Sequence, residues 1–385
     1  MRIAIIGQGY VGLTAMAGAI RGGHSVVGID ISEKVVSALN SGVSHIEGIP
    51  SELLGEASKS GRYFASSNYQ DISGADIVII AVPTPLNNLG EPDLTFLKRA
   101  SESISNYVNR DTLIINESTS YIGTLRKFIA TTVQEINPSV VNFAVSPERV
   151  DPGNQKFGIR NTPRLVGGTT DLATTRAADF YSTFCENVIR VSSPEVAEAA
   201  KLLENTFRFV NIGLVNEFSR ILSSMGISPS EVISAATTKP YGFMPFHPNV
   251  GVGGHCIPVD PLYLQKNAKD VGFPSKYVEL SEAFNREMPI YSVARLEELY
   301  GALKDKKILV VGVSYKPNIS DTRESPAENV IRELKKRGAF VSWHDPLVSN
   351  YLGETSSPVS GLYDLALILI KHEKLNMSDL SLIHI

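Results

Sequence analysis

A cysteine in a glycine-rich loop is the residue of this sequence best suited to nucleophilic chemistry. Cys256 follows Gly253, Gly254 and His255, and Asp260 lies four residues further along. Glycines let a ligand approach the backbone and leave the thiol accessible, and a thiolate is a strong nucleophile when a neighbouring cation or base favours it. The residues alone leave a second interpretation open, in which Cys256 is a small side chain packed in a loop.

The other cysteine and the histidines indicate no further chemistry. His255 and Cys256 are adjacent, without the spacing of zinc-binding pairs, and the sequence has no second Cys/His cluster. We therefore predict that no metal is bound. Cys185 closes a helix-like stretch and is expected to be a buried structural residue.

Charged and amide side chains elsewhere could assist a nucleophile. Lys201, Asn205 and Arg208 recur at i, i+4 and i+7, which places them on one face of a predicted helix. Glu148 comes directly after a predicted strand and could act as a general base. Alternatively, the helix residues form a solvated polar face, and Glu148 is a loop acid paired with Arg149.

A polar segment in the last third of the sequence carries two cations. Tyr315, Lys316 and Arg323 follow the apolar run at residues 308–311. Cations at the carboxyl end of a strand indicate a diphosphate or another anionic ligand. We therefore expect this segment to bind such a ligand.

The start of the chain has the pattern of a dinucleotide-binding turn. Gly7-Gln8-Gly9-Tyr10-Val11-Gly12 lies between a predicted strand and a predicted helix, and Asp30 closes the next strand. The glycines allow close approach of a pyrophosphate, and the acid binds ribose hydroxyls and repels a 2′-phosphate. The predicted cofactor is therefore NAD rather than NADP, the alternative being a glycine-rich turn without a ligand.

Two further loops are expected to contact this cofactor. Pro83 and Thr84 follow the apolar run at residues 77–82, and Thr119 follows the run at residues 112–115. Both loops lie at the carboxyl ends of predicted parallel strands, where open α/β sheets bind their ligands. Each loop taken by itself is more typical of an ordinary turn.

Strands that alternate with helices predict an α/β fold with an N-terminal Rossmann-type parallel sheet. A long helical pattern begins at Pro194, a loop rich in proline and glycine covers residues 238–261, and a smaller Rossmann-like α/β unit opens near Lys306. The sequence predicts three domains: residues 1–193, a central helical domain at 194–303, and residues 304–385. No clear closing strand is evident after the apolar run at residues 362–370.

Composition excludes several classes of protein. The chain has 385 residues, a net charge of −4 and two cysteines. The balanced charge argues against a nucleic-acid partner, and no apolar run is long enough to cross a bilayer. A disulfide-rich scaffold is excluded, and the cysteine usage favours the cytoplasm.

Seven motifs in this order resemble the family of nucleotide-sugar 6-dehydrogenases, the UDP-glucose and GDP-mannose dehydrogenase group. They are GQGYVG with Asp30, VPTP at 82–85, EST at 117–119, SPER at 146–149, KLLENTFRFVN at 201–211, GGHCIPVDP at 253–261 and YKPNISDTRESP at 315–326. The resemblance spans nearly the whole chain.

Members of this family oxidise the C6 alcohol of the sugar to a carboxylate in two hydride transfers, with two NAD+ per turnover. The resemblance implies that Cys256 captures the intermediate aldehyde as a thiohemiacetal, which the second transfer converts to a thioester. A thiolate both traps an aldehyde and makes a good acyl leaving group. Lys201 and Asn205 match residues that stabilise oxyanionic intermediates.

The resemblance also assigns the remaining site residues. Asp260, Glu148 and Thr119 match residues that tune the thiol and position or deprotonate the hydrolytic water. The cofactor-binding residues are then Gly7, Gly9, Tyr10, Val11, Gly12, Asp30, Pro83, Thr84, Thr119 and Arg323. The substrate-binding residues are Glu148, Arg149, Lys201, Asn205, Arg208, Gly253, Tyr315 and Lys316.

Within the family, Pro-Glu-Arg followed by Asp-Pro-Gly at 147–153 looks like the branch that acts on N-acetylated hexosamines. We expect UDP-N-acetylglucosamine as substrate, then UDP-N-acetylmannosamine, then UDP-glucose. Arg208 departs from the glucose pattern and is expected to contact the acetamido group or a phosphate. The family also implies a homodimer through the long helix and a role in surface polysaccharide synthesis. Since members commonly continue past residue 385, the last domain is expected to be short.

Two other classes of protein remain as alternatives. A single-hydride β-hydroxyacid dehydrogenase shares the Rossmann unit and the helical domain but needs neither the cysteine nor the third unit. A non-catalytic protein that binds NAD or a sugar nucleotide has no need of Cys256 and the residues that assist it. The number of NADH formed per substrate separates these classes.

Overall fold

A computed structural model describes residues 1–46, 48–87, 90–151, 153–154 and 156–375. The strands are β1 Arg2–Ile6, β2 Ser25–Ile29, β3 Tyr63–Ser66, β4 Ile77–Ile80, β5 Leu113–Asn116, β6 Asn142–Val145, β7 Arg164–Gly168, β8 Val188–Arg190, β9 Lys307–Val311, β10 Phe340–His344, β11 Asn350–Tyr351, β12 Glu354–Thr355 and β13 Leu365–Ile368. The α-helices are α1 Tyr10–Arg21, α2 Glu33–Asn40, α3 Ser51–Lys59, α4 Thr95–Ser105, α5 Thr131–Ile136, α6 Asp171–Tyr181, α7 Pro194–Ser224, α8 Pro229–Thr237, α9 Asp260–Asp270, α10 Lys276–Tyr300 and α11 Ala327–Lys336.

The chain forms two compact units, Met1–Leu203 and Glu204–Ile385. The last ten residues of the predicted domain 304–385, and Pro152 of the Asp-Pro-Gly sequence, lie outside the described residues. Within the described ranges, no helix is both long and apolar enough to cross a lipid bilayer.

The first unit contains an eight-stranded sheet in the order β3-β2-β1-β4-β5-β6-β7-β8. Its strands are short and apolar, and every residue of β4 and β5 is buried, because apolar side chains pack on both faces of the sheet. The predicted Rossmann-type sheet is confirmed, with one difference: β6 and β7 pair antiparallel. The order of strands reverses between β1 and β4, and ligands bind at such a point in doubly wound sheets.

Helix α7 has 31 residues and contributes to both units. It begins at Pro194, whose fixed φ and missing N–H suit the first helical position, with Glu195 in its first turn. Ala197 and Leu202 are fully buried, whereas a row of apolar side chains further along the helix is exposed.

The second unit combines helices with a three-stranded parallel sheet, β10-β9-β13. Helices α10 and α11 cover this sheet, with Val293 and Leu296 in the same apolar core as Ile308 and Val330. The apolar run at residues 362–370 contains β13, which pairs with β9, and no further strand follows it in residues 371–375, the last that the structure describes. The central strand of this sheet is β9, and its continuous apolar run is typical of a strand buried on both faces.

Candidate active site

The glycine turn after β1 has the geometry of a phosphate-binding loop. Gly7 has a φ of +91°, and a Cβ at Gly12 would lie 1.8 Å from the carbonyl oxygen of Gly7. A Cβ at Gly9, in contrast, would meet no atom within 4 Å. No side chain of the described residues caps the start of α1 at Gly9, so the first turn of this helix presents its N–H groups to an anion. These residues fit the pyrophosphate of NAD.

Asp30 is joined to this turn by its carboxylate. Its Oδ2 accepts a hydrogen bond from the N–H of Gln8 at 2.9 Å, and its Oδ1 accepts one from the N–H of Ser32. The side chain is half-buried at the end of β2. An oriented carboxylate at this position suits the ribose hydroxyls of NAD.

The loops after β4 and β5 lie beside the glycine turn. The carbonyl oxygen of Ala81 would be 2.5 Å from a Cβ at Gly7, and Ser118 Oγ donates to the carbonyl of Val82 at 2.8 Å. The predicted cofactor residues Thr84 and Thr119 are half-buried, and Pro83 is exposed. The structure therefore brings the three predicted cofactor loops of the first unit to one edge of the sheet.

Glu148 is buried after β6 and pairs with Arg164 on β7. Its Oε2 accepts from Arg164 Nη1 at 2.8 Å, and its Oε1 accepts from the N–H groups of Arg149 and Val150. The Arg149 guanidinium donates to the carbonyl of Pro163. Arg164, which lies 16 residues further along the sequence, therefore balances the charge of the Glu148 carboxylate.

Glu117 contacts the same arginine from the other side. Burial raises the pKa of Glu117, and the Glu148 carboxylate raises it further, despite Arg164. Burial also favours a higher pKa for Glu148, but Arg164 and the two backbone N–H groups outweigh it, so the pKa of Glu148 is lowered. Glu148 is therefore the more acidic carboxyl of the two.

Lys201 reaches the same loop from α7. Its Nζ donates to the main-chain carbonyl of Glu148 at 2.8 Å. The ammonium therefore lies at the loop that follows the carboxyl end of β6. Arg208, one of the other two residues of the predicted polar face, is exposed.

In the second unit, Cys256 lies one turn before α9. Its carbonyl accepts from the N–H groups of Val259 and Asp260, at 3.1 and 2.8 Å. The thiol is half-buried, and the N-terminal end of α9 favours negative charge near it. Asp260 is fully buried, and its Oδ2 accepts from Asn205 Nδ2 at 2.5 Å. The structure thus brings Asn205 and Asp260 together, although they are 55 residues apart.

The polar segment at 315–326 supports the cysteine loop. A Cβ at Gly253 or Gly254 would collide with Tyr315, and the N–H of Gly254 donates to the carbonyl of Arg323. The Arg323 side chain is held by Asp321, and its Nη2 is 3.2 Å from His255 Nδ1. These contacts place Arg323 next to the residue that precedes Cys256. Lys316, one residue after Tyr315, is half-buried.

A buried network that sequence reasoning missed orients the start of this polar segment. His372 Nε2 lies 3.1 Å from Asp345 Oδ2 and 3.2 Å from Ser314 Oγ, and all three residues are buried. Asp345 also accepts from the N–H groups of Val313 and Ser314. The available signal was that Asp345 closes β10 as Asp30 closes β2.

Three family models match consecutive parts of the chain. They describe the UDP-glucose/GDP-mannose dehydrogenase family: its NAD binding domain at residues 1–185, its central domain at 195–287 and its UDP binding domain at 309–383. The chain belongs to the UDP-glucose/GDP-mannose dehydrogenase family. It is an NAD-dependent UDP-sugar dehydrogenase.

Named relatives and a solved structure agree with this membership. The chain is 36% identical over 361 residues to the UDP-N-acetyl-D-mannosamine dehydrogenase of Pyrococcus horikoshii, a match that covers 90% of this chain and 84% of the relative. It is 33% identical to the UDP-N-acetyl-D-glucosamine 6-dehydrogenase of Pseudomonas aeruginosa, a match that covers 97% of this chain and 91% of the relative. The solved structure of the UDP-D-ManNAc dehydrogenase from Pyrococcus horikoshii superimposes with a TM-score of 0.90 at 32% identity, covering 100% of this chain and 94% of that chain.

Proposed function

We propose that this protein oxidises the C6 alcohol of a UDP-N-acetylhexosamine to the uronic acid by a four-electron reaction. The arrangement that carries this proposal is a half-buried thiol at the start of α9, one turn before a fully buried acid that binds Asn205. A single-hydride oxidation of an alcohol has no need of a nucleophilic cysteine.

The reaction divides into two oxidations and one hydrolysis. When bound, NAD+ accepts a hydride at each oxidation. Cys256 Sγ adds to the aldehyde carbon to form a thiohemiacetal, whose oxidation gives a thioester, and water then releases the acid and regenerates the thiol. The sum is R–CH2OH + 2 NAD+ + H2O giving R–COO− + 2 NADH + 3 H+.

The surrounding residues stabilise the negative charges that develop during the reaction. We assign to Lys201 and Asn205 the stabilisation of oxyanions, because an ammonium and an amide N–H both donate to developing negative charge. We assign to Asp260, Thr119 and Glu148 the tuning of the thiol and the positioning or deprotonation of the hydrolytic water. The three donors on the Glu148 carboxylate and its lowered pKa favour positioning over proton abstraction.

The cofactor and substrate contacts follow the same assignment. Cofactor contacts are assigned to the turn at residues 7–12, Asp30, Pro83, Thr84, Thr119 and Arg323. Substrate contacts are assigned to Arg149, Arg208, Gly253, Tyr315 and Lys316. We keep the three predicted domains, 1–193, 194–303 and 304–385, as the functional division of the chain. We also place the reaction in the cytoplasm, because the sparse use of cysteine suits a reducing compartment.

For the sugar we propose UDP-N-acetylglucosamine, because the Pro-Glu-Arg and Asp-Pro-Gly sequences at 147–153 resemble the branch acting on N-acetylated hexosamines. The second candidate is UDP-N-acetylmannosamine, which is favoured by the name of the relative from Pyrococcus horikoshii. The two sugars differ only in configuration at C2, so discrimination depends on the contacts to one acetamido group.

The test of specificity compares three substrates under identical conditions. The value of kcat/KM is measured with UDP-N-acetylglucosamine, UDP-N-acetylmannosamine and UDP-glucose at saturating NAD+. The proposal predicts the highest value for the first. A higher value for either of the others would overturn the choice of sugar and leave the mechanism standing, whereas no NADH with any of them would favour the non-catalytic alternative.

We also propose a homodimer through α7. Five of its exposed apolar residues recur at intervals of three, four or seven and form one stripe on this helix: Leu203, Phe207, Leu214, Phe218 and Ile221. A stripe of this length on a soluble protein is typical of a surface that a second copy covers.

A further inference from the structure

One buried arginine links several elements of the first unit. Arg164 is 3% exposed, its Nε donates to Ser146 Oγ at 2.8 Å, and its Nη2 donates to the Ser146 carbonyl. Nη2 also pairs with Glu117 Oε1 at 2.5 Å, and Nη1 pairs with Glu148 Oε2 at 2.8 Å. Every nitrogen of the guanidinium therefore has a partner on the loops that follow β5 and β6.

The aromatic ring of Tyr181 packs against the guanidinium of Arg164. The guanidinium carbon lies 4.4 Å from the centre of the Tyr181 ring, and the Tyr181 hydroxyl donates to Glu117 Oε1 at 2.5 Å. A planar guanidinium with two carboxylates and an aromatic face has one orientation available to it. Arg164 is thus held in place from β5, β6 and α6.

This arrangement determines the orientation of one peptide group. The Glu148 carboxylate, fixed at Oε2 by Arg164, accepts the N–H of Arg149 at Oε1. That N–H and the carbonyl of Glu148 belong to the same planar peptide, so fixing one fixes the other. The carbonyl is the acceptor for Lys201 Nζ at 2.8 Å. A continuous chain of contacts therefore runs from Arg164 through Glu148 to the ammonium of Lys201.

We propose that Arg164 is a positioning residue for Lys201, acting through the Glu148 side chain and peptide. Glu148 is in this account the anionic anchor of that peptide, and Glu117 and Tyr181 hold the arginine in place. The functional consequence rests on the proposed role of Lys201 as an oxyanion donor. A displacement of a catalytic group by about 1 Å is enough to lower a rate by on the order of a hundredfold.

The first test measures the environment of Lys201 without any turnover. The protein without added NAD or sugar is acetylated briefly with acetic anhydride, and mass spectrometry gives the acetylation rate of Lys201 relative to exposed Lys98. The Arg164→Lys variant is expected to acetylate Lys201 several-fold faster, because the peptide carbonyl no longer holds the ammonium. Arg190→Lys, a matched change of an exposed arginine in the same unit, should leave the ratio unchanged.

The second test separates positioning from general destabilisation. Arg164→Lys is expected to lower kcat by about tenfold or more with little change in KM. In a Lys201→Met background the same change should have little further effect, because the group being positioned is gone. Val133→Ala, which creates a cavity in α5, should lower the melting temperature and leave the Lys201 acetylation ratio unchanged.

Each outcome decides the proposal. An unchanged acetylation ratio in Arg164→Lys, or an equal loss of kcat with and without Lys201, would show that Arg164 only supports the fold. If Arg164→Lys does not fold, Glu148→Gln takes its place in the acetylation test alone, with the same expected rise in the Lys201 acetylation ratio, because it removes the charge that Arg164 pairs with. If the wild type oxidises no UDP-sugar, the proposed function fails, and the acetylation test still decides the link between Arg164 and Lys201.

Discussion

The two cysteines of this chain have different surroundings. Cys185 is 5% exposed, its Sγ donates to the carbonyl of Ile159, and burial raises the pKa of its thiol to about 11. Such a thiol stays protonated at neutral pH and is a poor nucleophile. Cys256 is half-buried at the start of a helix, in a loop with two glycines. These surroundings indicate that Cys185 is a structural thiol and that Cys256 is the candidate nucleophile.

Substitution of each cysteine by alanine tests this difference. Cys256→Ala is expected to lower the rate of acid formation by at least about a thousandfold, because no thioester can form. Cys185→Ala is the matched control and should keep the wild-type kcat. The assay measures uronic acid by chromatography after incubation with NAD+ and the UDP-sugar. Equal activity of the two variants would rule out Cys256 as the nucleophile.

At this scale the sequence predicts local motifs better than distant contacts. The glycine turn and Asp30 were found because each depends on neighbouring residues and on the end of a strand. The contacts of Arg164 with Glu117 and Tyr181 could not be found, because the fold alone brings together β7, α6 and the loop that follows β5. The role of Glu148 as an anchor was missed for the same reason.

At the scale of elements, Glu198 on α7 fastens this helix to the segment that follows Thr119. Its carboxylate accepts from the N–H groups of Gly123 and Leu125 at 2.5 and 2.9 Å. Burial raises the pKa of Glu198 to about 7 and outweighs these two donors, which lower it. The Glu198 carboxyl, which lies one turn of α7 before Lys201, therefore gains or loses its proton near neutral pH.

This raised pKa predicts a pH dependence of stability. Below pH 4.5 Glu198 is protonated in both states, and between pH 4.5 and 7 the folded protein binds a proton that the unfolded chain has lost. The free energy of unfolding should therefore fall as the pH rises through this range, by on the order of 3 kcal/mol, and level off above pH 7.

Urea unfolding of Glu198→Gln between pH 5 and pH 8 measures this contribution. Between pH 5 and pH 8, the free energy of unfolding should fall much less in this variant than in the wild type. Glu195→Gln is the control on the same helix. Burial favours a higher pKa for Glu195, but the hydrogen bonds from Arg126, Ser193 and the backbone together with the Arg126 charge outweigh it, so the pKa is lowered and its contribution does not fall as the pH rises from 5 to 8. A decrease of equal size in wild type and Glu198→Gln would contradict this account.

The turn between β1 and α1 offers a matched pair of glycine substitutions. Gly9→Ala should fold normally, because its Cβ meets no protein atom, but should weaken NAD+ binding by at least about tenfold by occupying the space of the pyrophosphate. Gly12→Ala should instead destabilise the unit by about 1–3 kcal/mol, because its Cβ would overlap the carbonyl of Gly7. Melting curves and NAD+ titrations of both variants distinguish these effects. Tight NAD+ binding by Gly9→Ala would contradict the placement of the pyrophosphate.

Most elements follow from the sequence, and the exceptions have physical reasons. Helix α7 is evident from its length, Pro194 and its regular apolar positions. Strand β13 lies in the apolar run at residues 362–370, whereas the antiparallel pairing of β7 with β6 depends on how the chain returns to the sheet. Local patterns specify an element, but pairing direction is decided by the rest of the fold.

At the scale of the whole molecule, the proposed dimer rests on the exposed stripe of α7. Leu214 and Phe218 are 60% and 45% exposed. We expect sedimentation velocity to give twice the chain mass of 41.8 kDa for the wild type and the single mass for the double variant Leu214→Glu/Phe218→Glu, because two buried charges at an interface are costly. Leu172→Glu, an equally exposed position on α6, should remain dimeric. A monomeric wild type would exclude the dimer.

The central claim is the four-electron oxidation, and the most direct measurement is its stoichiometry. A limiting, known amount of UDP-N-acetylglucosamine is converted to completion with excess NAD+, and the NADH formed is counted by absorbance while the acid is quantified by chromatography. The account predicts two NADH and one uronic acid per sugar. One NADH per sugar, with an aldehyde or ketone as product, would contradict it and identify a single-hydride dehydrogenase.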